Sequence, residues 1–311
     1  MSDAAKNSGA ASPTIGVFDS GFGGLTVLRA LMAQMPRARY AFIGDTARLP
    51  YGSKSRRTIA RYAVQCAQFL VSEQGAEFLV IACNTASALA LDAIQDAVQV
   101  PVLGVIEPGA EAARAASVTS DVLVIATDAT VQSHAYAAAC RARGLRALEK
   151  ACPLLVPLVE EGWTELLVNA GNLTEAYAAQ AASAPPQVAV TAEVIRIYLA
   201  ELTAEAAAQG MKPDTLLLGC THYPLLRYLL ESAVPIGVKI IDSADATAEA
   251  AVKLFDQKPV QKRSPNAQFP SAKDQVQVRC FATDSVEKFE RLGSRFLGRP
   301  TGKVELVDLG G

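Results

Sequence analysis

AEFLVIACNTASAL (residues 76–89) and PDTLLLGCTHYPLL (213–226) share one plan. Each runs from an acidic residue through a short apolar stretch and a small residue to a cysteine, two polar residues and a helix-like continuation. The apolar runs Phe78–Ile81 and Thr215–Leu218 are nearly continuous, the pattern of strands covered on both faces of a sheet. Each copy therefore puts one cysteine, Cys83 or Cys220, at the C-terminal end of a buried strand, where open α/β sheets bind ligands. A second pair, TIGVFDSGFGG (14–24) and DVLVIATDATVQS (121–133), also shows strands ending in polar, turn-forming residues. Two similar α/β units are expected, with a cleft that brings the two thiols to opposite sides of one small molecule.

The rest of the chain agrees with this reading. Further strands are expected at Ile15–Phe18, Tyr40–Ile43, Val102–Val105, Val122–Ile125 and Val238–Ile241. Helices are expected at Gly24–Gln34, Arg56–Gln74, Ser87–Ala97, Gln132–Arg143 and Val194–Gln209. Such alternation implies α/β architecture with open parallel sheets flanked by helices. Asn169–Thr191, Ala-rich around Pro185-Pro186, and the polar, proline-containing Lys258–Gln275 read as surface loops or insertions, and residues 1–13 as a disordered tail.

With 311 residues, half of them apolar and 19% charged, the chain can build a sizeable core. A formal net charge of −2 argues against a nucleic-acid partner, which usually leaves an excess of Lys and Arg. The N-terminus lacks the apolar core of a secretory signal, and no apolar run is long enough to cross a bilayer. A cytoplasmic protein without membrane contact is expected. The six cysteines include no CxxC pair and read as free thiols.

Cys83 falls in the turn at a helix entrance, where backbone N–H groups favour a thiolate and attract carboxylates. Asn84 and Thr85 add neutral hydrogen-bonding groups. On local context alone, a buried structural cysteine reads equally well. Cys220 has His222 two residues on, and a histidine can tune a thiol towards ionisation. A lone Cys-x-His favours a structural reading, but repetition of the Cys83 plan adds weight. With only His134 and His222 in the chain, no pair of ligands has zinc-site spacing. Gly21-Phe-Gly-Gly24 is not a dinucleotide fingerprint, although its glycines suggest backbone approaching an anionic ligand. Asp19, Ser20, Asp45 and the Pro50-Tyr-Gly-Ser53 turn fit either a polar site or ordinary caps and turns.

Taken in order, DSGFGGLTV (19–27), GDTARLPYGSKS (44–55), ACNTAS (82–87), GVIEPG (104–109), CPLLVPLVEEG (152–162), LGCTHYPLL (218–226) and FATDSVEKFERLGSRFLG (281–298) resemble the glutamate racemases. The resemblance spans Ile15 to Leu297. It implies two pseudosymmetric α/β domains with the active site between them, divided here as 1–106 plus 224–311 and 107–223. It also implies no cofactor (neither pyridoxal phosphate nor metal), a homodimer, and a supply of D-glutamate for peptidoglycan. By position, Cys83 matches the group that takes the proton from D-glutamate and Cys220 the one that takes it from L-glutamate. Asp19 and His222 match groups that assist the thiols, and Glu160 and Asp45 match acidic residues near the site. Substrate contacts are implied for Asp19, Ser20, Pro50, Tyr51, Gly52, Ser53, Asn84, Thr85, Thr127, Thr130, Thr221 and His222. Stretches 169–191 and 258–275 look longer than the family pattern. The rival readings are a two-cysteine racemase or isomerase acting on aspartate, a hydantoin or maleate, and a binding protein that holds a small anion without reacting.

Overall fold

Continuous apolar stretches become the innermost strands. In the computed structural model, which describes residues 13–164, 185–256 and 277–310, Thr14–Asp19 (β1) and Asp121–Ala126 (β5) are buried at every position. β1 pairs with Arg39–Gly44 (β2) on one side and Phe78–Ile81 (β3) on the other. β5 is flanked in the same way by Arg146–Ala151 (β6) and Thr215–Gly219 (β7). Val102–Gly104 (β4) extends the first sheet beyond β3, and Lys239–Asp242 (β8) extends the second beyond β7. The orders 2-1-3-4 and 6-5-7-8 are the same topology used twice, and every pairing is parallel. Val278–Ala282 (β9) and Val304–Leu306 (β10) enlarge the first sheet next to β2. The two cysteine-bearing segments thus occupy equivalent places, directly after β3 and β7.

The expected division resumes the first domain at residue 224, but β8 pairs with β7 from Thr215↔Lys239 to Leu218↔Asp242. Residues 239–242 therefore belong to the second sheet, and the chain rejoins the first only at β9. β6 escapes the sequence reading because it is an edge strand rich in charge, half-buried along most of its length. Its Arg146, Glu149 and Lys150 pair with Asp121, His134 and Glu201 at 2.7, 3.1 and 2.6 Å.

The helices are Leu25–Gln34 (α1), Arg56–Ser72 (α2), Asn84–Leu89 (α3), Leu91–Ala97 (α4), Ile106–Ala116 (α5), Asp128–Ser133 (α6), Ala135–Arg141 (α7), Leu155–Glu160 (α8), Pro186–Ala208 (α9), Arg227–Ala233 (α10), Ser243–Asp256 (α11) and Val286–Leu297 (α12). The single helix expected over 87–97 begins earlier, at Asn84, and breaks at Ala90, where ψ is 0°. The helix expected over 132–143 is α6 and α7, separated by His134 in the left-handed region at φ 54°. α9 starts at Pro186 rather than Val194, so residues 186–191 are helical instead of loop. Proline suits that first position because its missing N–H would have no helical partner. Residues 169–184 of the first expected insertion, all of Lys258–Gln275 and residues 1–12 lie outside the described residues. Among the described residues no helix is long and apolar enough to cross a membrane.

One core runs through both units, joining Ile15, Val17 and Phe42 of the first sheet to Leu123, Ile125, Leu216 and Leu218 of the second. α1 packs on α11 across the same boundary. This packing brings the turns after β1, β3 and β7 together.

Candidate active site

Cys83 follows β3 and caps α3. The Ala86 N–H donates to its sulfur at 3.4 Å, and the thiol donates to Ser20 Oγ at 3.4 Å. The residue is only 5% exposed. Burial pushes the thiol up to about 12, and the nearby Asp19 carboxylate pushes the same way. Asp19 ends β1; its Oδ2 accepts from the Gly21 N–H at 2.9 Å, while Oδ1 is buried with no partner among the described residues. Burial raises the Asp19 pKa, against the charge of His222 and the Gly21, Gly24 and Ser20 backbone amides.

Cys220 directly follows β7 and is 6% exposed. His222 Nδ1 lies 3.9 Å from its sulfur and 3.4 Å from Thr221 Oγ1. The other ring nitrogen lies 3.3 Å from Glu160 Oε1, at the end of α8. Glu160 Oε2 in turn meets Lys288 Nζ of α12 at 3.5 Å, and Phe296 of the same helix packs edge-on against the imidazole. Burial alone would lower the His222 pKa, but the hydrogen bonds and charges of Cys220 and Glu160 overcome it and raise it to about 10. His222 is therefore an imidazolium at neutral pH. Its charge reaches Asp19, and that of Asp19 reaches Cys83, so one electrostatic chain joins the two thiols.

The glycines at 23 and 24, expected to admit a ligand, instead let backbone approach the site's own side chains. A Cβ on Gly23 would stand 2.2 Å from Thr221 Oγ1 and 2.6 Å from His222 Nδ1. One on Gly24 would stand 2.6 Å from Asp19 Cβ. The Thr26 hydroxyl donates to the Gly23 and Thr221 carbonyls at 3.0 and 3.4 Å, pinning the two loops together.

Three hydroxyls close the space between the units. Thr85 Oγ1 lies 2.9 Å from that of Thr127 and 3.2 Å from that of Thr130, which are themselves 2.9 Å apart. Asn84, beside them, accepts at Oδ1 from the Tyr136 hydroxyl at 2.6 Å; its Nδ2 is buried without a partner among the described residues. Gly52 faces Thr127, for a Cβ there would lie 3.2 Å from the threonine's.

The rest of the Pro50–Ser53 turn divides between surface and core. Pro50, after a cis peptide bond, and Ser53 are exposed. Tyr51 is buried, and its hydroxyl donates to Asp45 Oδ2 at 2.5 Å. Asp45, fully buried, also accepts from Arg48 Nε on both oxygens and from Thr283 at 2.9 Å. Asp45 thus holds the turn from behind. Sequence reasoning missed Tyr136 and Lys288: the first looks like core, the second like one more surface charge, and only long-range contacts bring either to the site. Among the described residues no group of three or more His, Cys, Asp or Glu is arranged to hold a metal ion.

These features can be set beside known proteins. The family model of the Asp/Glu/hydantoin racemases matches residues 25–251. A glutamate racemase of Koribacter versatilis is 50% identical over 96% of this chain and 98% of its own length. Among solved structures, a Bacillus anthracis glutamate racemase has a TM-score of 0.78 at 34% identity, covering 96% of this chain and 99% of that one. The Francisella tularensis glutamate racemase, solved in complex with D-glutamate, has a TM-score of 0.76 at 31% identity with the same coverage. The two thiols on equivalent strands and the full-length likeness agree, and the chain belongs to the Asp/Glu/hydantoin racemase family.

Proposed function

We propose that this chain interconverts L- and D-glutamate by proton transfer at Cα between Cys83 and Cys220, as a cytoplasmic homodimer supplying D-glutamate for peptidoglycan. One observation carries the reading: two buried cysteines at equivalent strand ends are joined through Asp19 and His222, beside a ring of neutral donors. The free enzyme holds Cys83 as the thiol, since burial and Asp19 both disfavour its thiolate. In the L-to-D direction the Cys220 thiolate takes the α-proton, and the C–H electron pair passes into an enediolate. Cys83 gives its S–H proton to the opposite face of Cα and keeps the electron pair on sulfur. The D-to-L direction exchanges the two roles.

A free thiol, with a pKa of about 8.5, is a weak base for so weak a carbon acid. The barrier has to fall elsewhere. Thr85, Thr127, Thr130 and the Asn84 amide are prearranged donors for the enediolate oxygens. The His222 imidazolium, steadied by Glu160, offsets the charge of the Cys220 thiolate. Asp19 serves the Cys83 side, where its raised pKa suits a group that holds and returns a proton. Ser20 orients the Cys83 thiol.

The test follows the optical activity of L-glutamate with purified protein and no added cofactor, with L-aspartate in parallel. Decay to the racemate with glutamate supports the reading. Decay with aspartate alone changes the substrate, and saturable binding without decay of either favours a non-catalytic anion-binding protein.

A further inference from the structure

Tyr136, in α7, touches the turn of each thiol. Its side chain is wholly buried. The hydroxyl donates to Oδ1 of Asn84, the residue after Cys83, at 2.6 Å. The ring lies under Gly219, the residue before Cys220, where a Cβ would stand 2.9 Å from Tyr136 Cε2. Burial pushes the phenol's pKa far up. The proton therefore stays on the tyrosine oxygen. The hydroxyl has one proton, and the 2.6 Å contact directs it at Asn84 Oδ1.

A carboxamide has one accepting and one donating limb, and this network fixes which is which. Asn84 Oδ1 is occupied by Tyr136, and Nδ2, 3% exposed as part of its residue, has no partner among the described residues. Rotating the amide would set its NH2 against the tyrosine hydroxyl and offer an oxygen where an anionic substrate needs a donor. We propose that Tyr136 is a positioning residue that locks Asn84 with its NH2 group turned to an anionic oxygen of the substrate. This rests on the glutamate racemase reading, whose own failure would appear as a wild-type protein that does not racemise glutamate and would overturn both.

With wild-type turnover in hand, Tyr136→Phe keeps the ring and removes the proton that orients the amide. kcat/KM should fall about tenfold or more, the loss of one hydrogen bond to a charged group, and the fall should sit mainly in KM. Calorimetric Kd values for D-glutamate in wild type, Tyr136→Phe, Asn84→Ala and the double variant separate positioning from packing. The proposal expects Tyr136→Phe to weaken binding about tenfold with Asn84 present and less than about twofold in the Asn84→Ala background. An equal factor in both backgrounds, or an unchanged KM in a folded Tyr136→Phe protein, overturns it. If Tyr136→Phe does not fold, Asn84→Asp keeps the Tyr136 contact and puts an oxygen where the NH2 group stood. It should weaken D-glutamate binding more than Asn84→Ala does, and binding as tight as wild type overturns the proposal.

Discussion

Replacing Glu160 by glutamine keeps its shape and removes its charge. His222 is ordinarily half-protonated near 6.5 and is raised to about 10 in the folded protein. At about 1.36 kcal/mol per pH unit, that gap corresponds to about 5 kcal/mol in favour of the imidazolium. Glu160 and Cys220 oppose the penalty of burial between them, so losing the carboxylate should bring the midpoint down by about two pH units. The chain has only two histidines, so proton NMR of the imidazole Cε1–H signals reads the midpoint directly, with His134→Asn for assignment. The alkaline limb of kcat/KM should move with it. Stability follows the same proton. Because the folded pKa is raised, the contribution is fully present below about pH 6.5 and is lost as pH rises towards 10. Chemical denaturation should therefore show wild type losing more stability than Glu160→Gln between about pH 7 and pH 9, because the variant's smaller contribution is already gone near pH 8. A wild-type midpoint near 6.5, or one that Glu160→Gln leaves in place, would refute the reasoning.

Gly23→Ala should nearly abolish turnover and cost about 1–3 kcal/mol of stability by overpacking. Its Cβ would collide with Thr221 and His222, and activity and melting measured together would check this. Asp19→Asn removes a negative charge that raises the Cys83 thiol, so alkylation of Cys83 above about pH 8 should become faster, read by mass spectrometry of its peptide. An unchanged or slower rate would contradict the electrostatic link between the two residues.

Much of this arrangement is legible before any coordinates. β1, β3, β5 and β7 lie in the sheet interiors, so their apolar runs are continuous and the repeated cysteine plan marks equivalent positions. The edges are harder: β6 carries charges satisfied by pairing with distant residues, and β10 has three residues. The breaks at Ala90 and His134 leave no mark in the local periodicity. In the site, residues adjacent to a cysteine are easy to name, whereas Thr127 and Thr130 are reached only through the resemblance to the glutamate racemases. Tyr136 meets Asn84 across 52 positions and Lys288 meets Glu160 across 128, and no local pattern announces either. Pro50 and Ser53 belong to a turn whose backing, Asp45 with Arg48, Tyr51 and Thr283, only the fold assembles.

The central claim is that two thiols exchange the α-proton from opposite faces. Proton NMR of L-glutamate and then D-glutamate in D2O, with wild type, Cys83→Ala and Cys220→Ala, tests it directly. The account predicts that wild type replaces the α-proton by deuterium and forms the other enantiomer. Either substitution should stop racemisation, leaving at most exchange of the one enantiomer whose α-proton faces the remaining thiol. Racemisation that survives the loss of either cysteine would contradict the account.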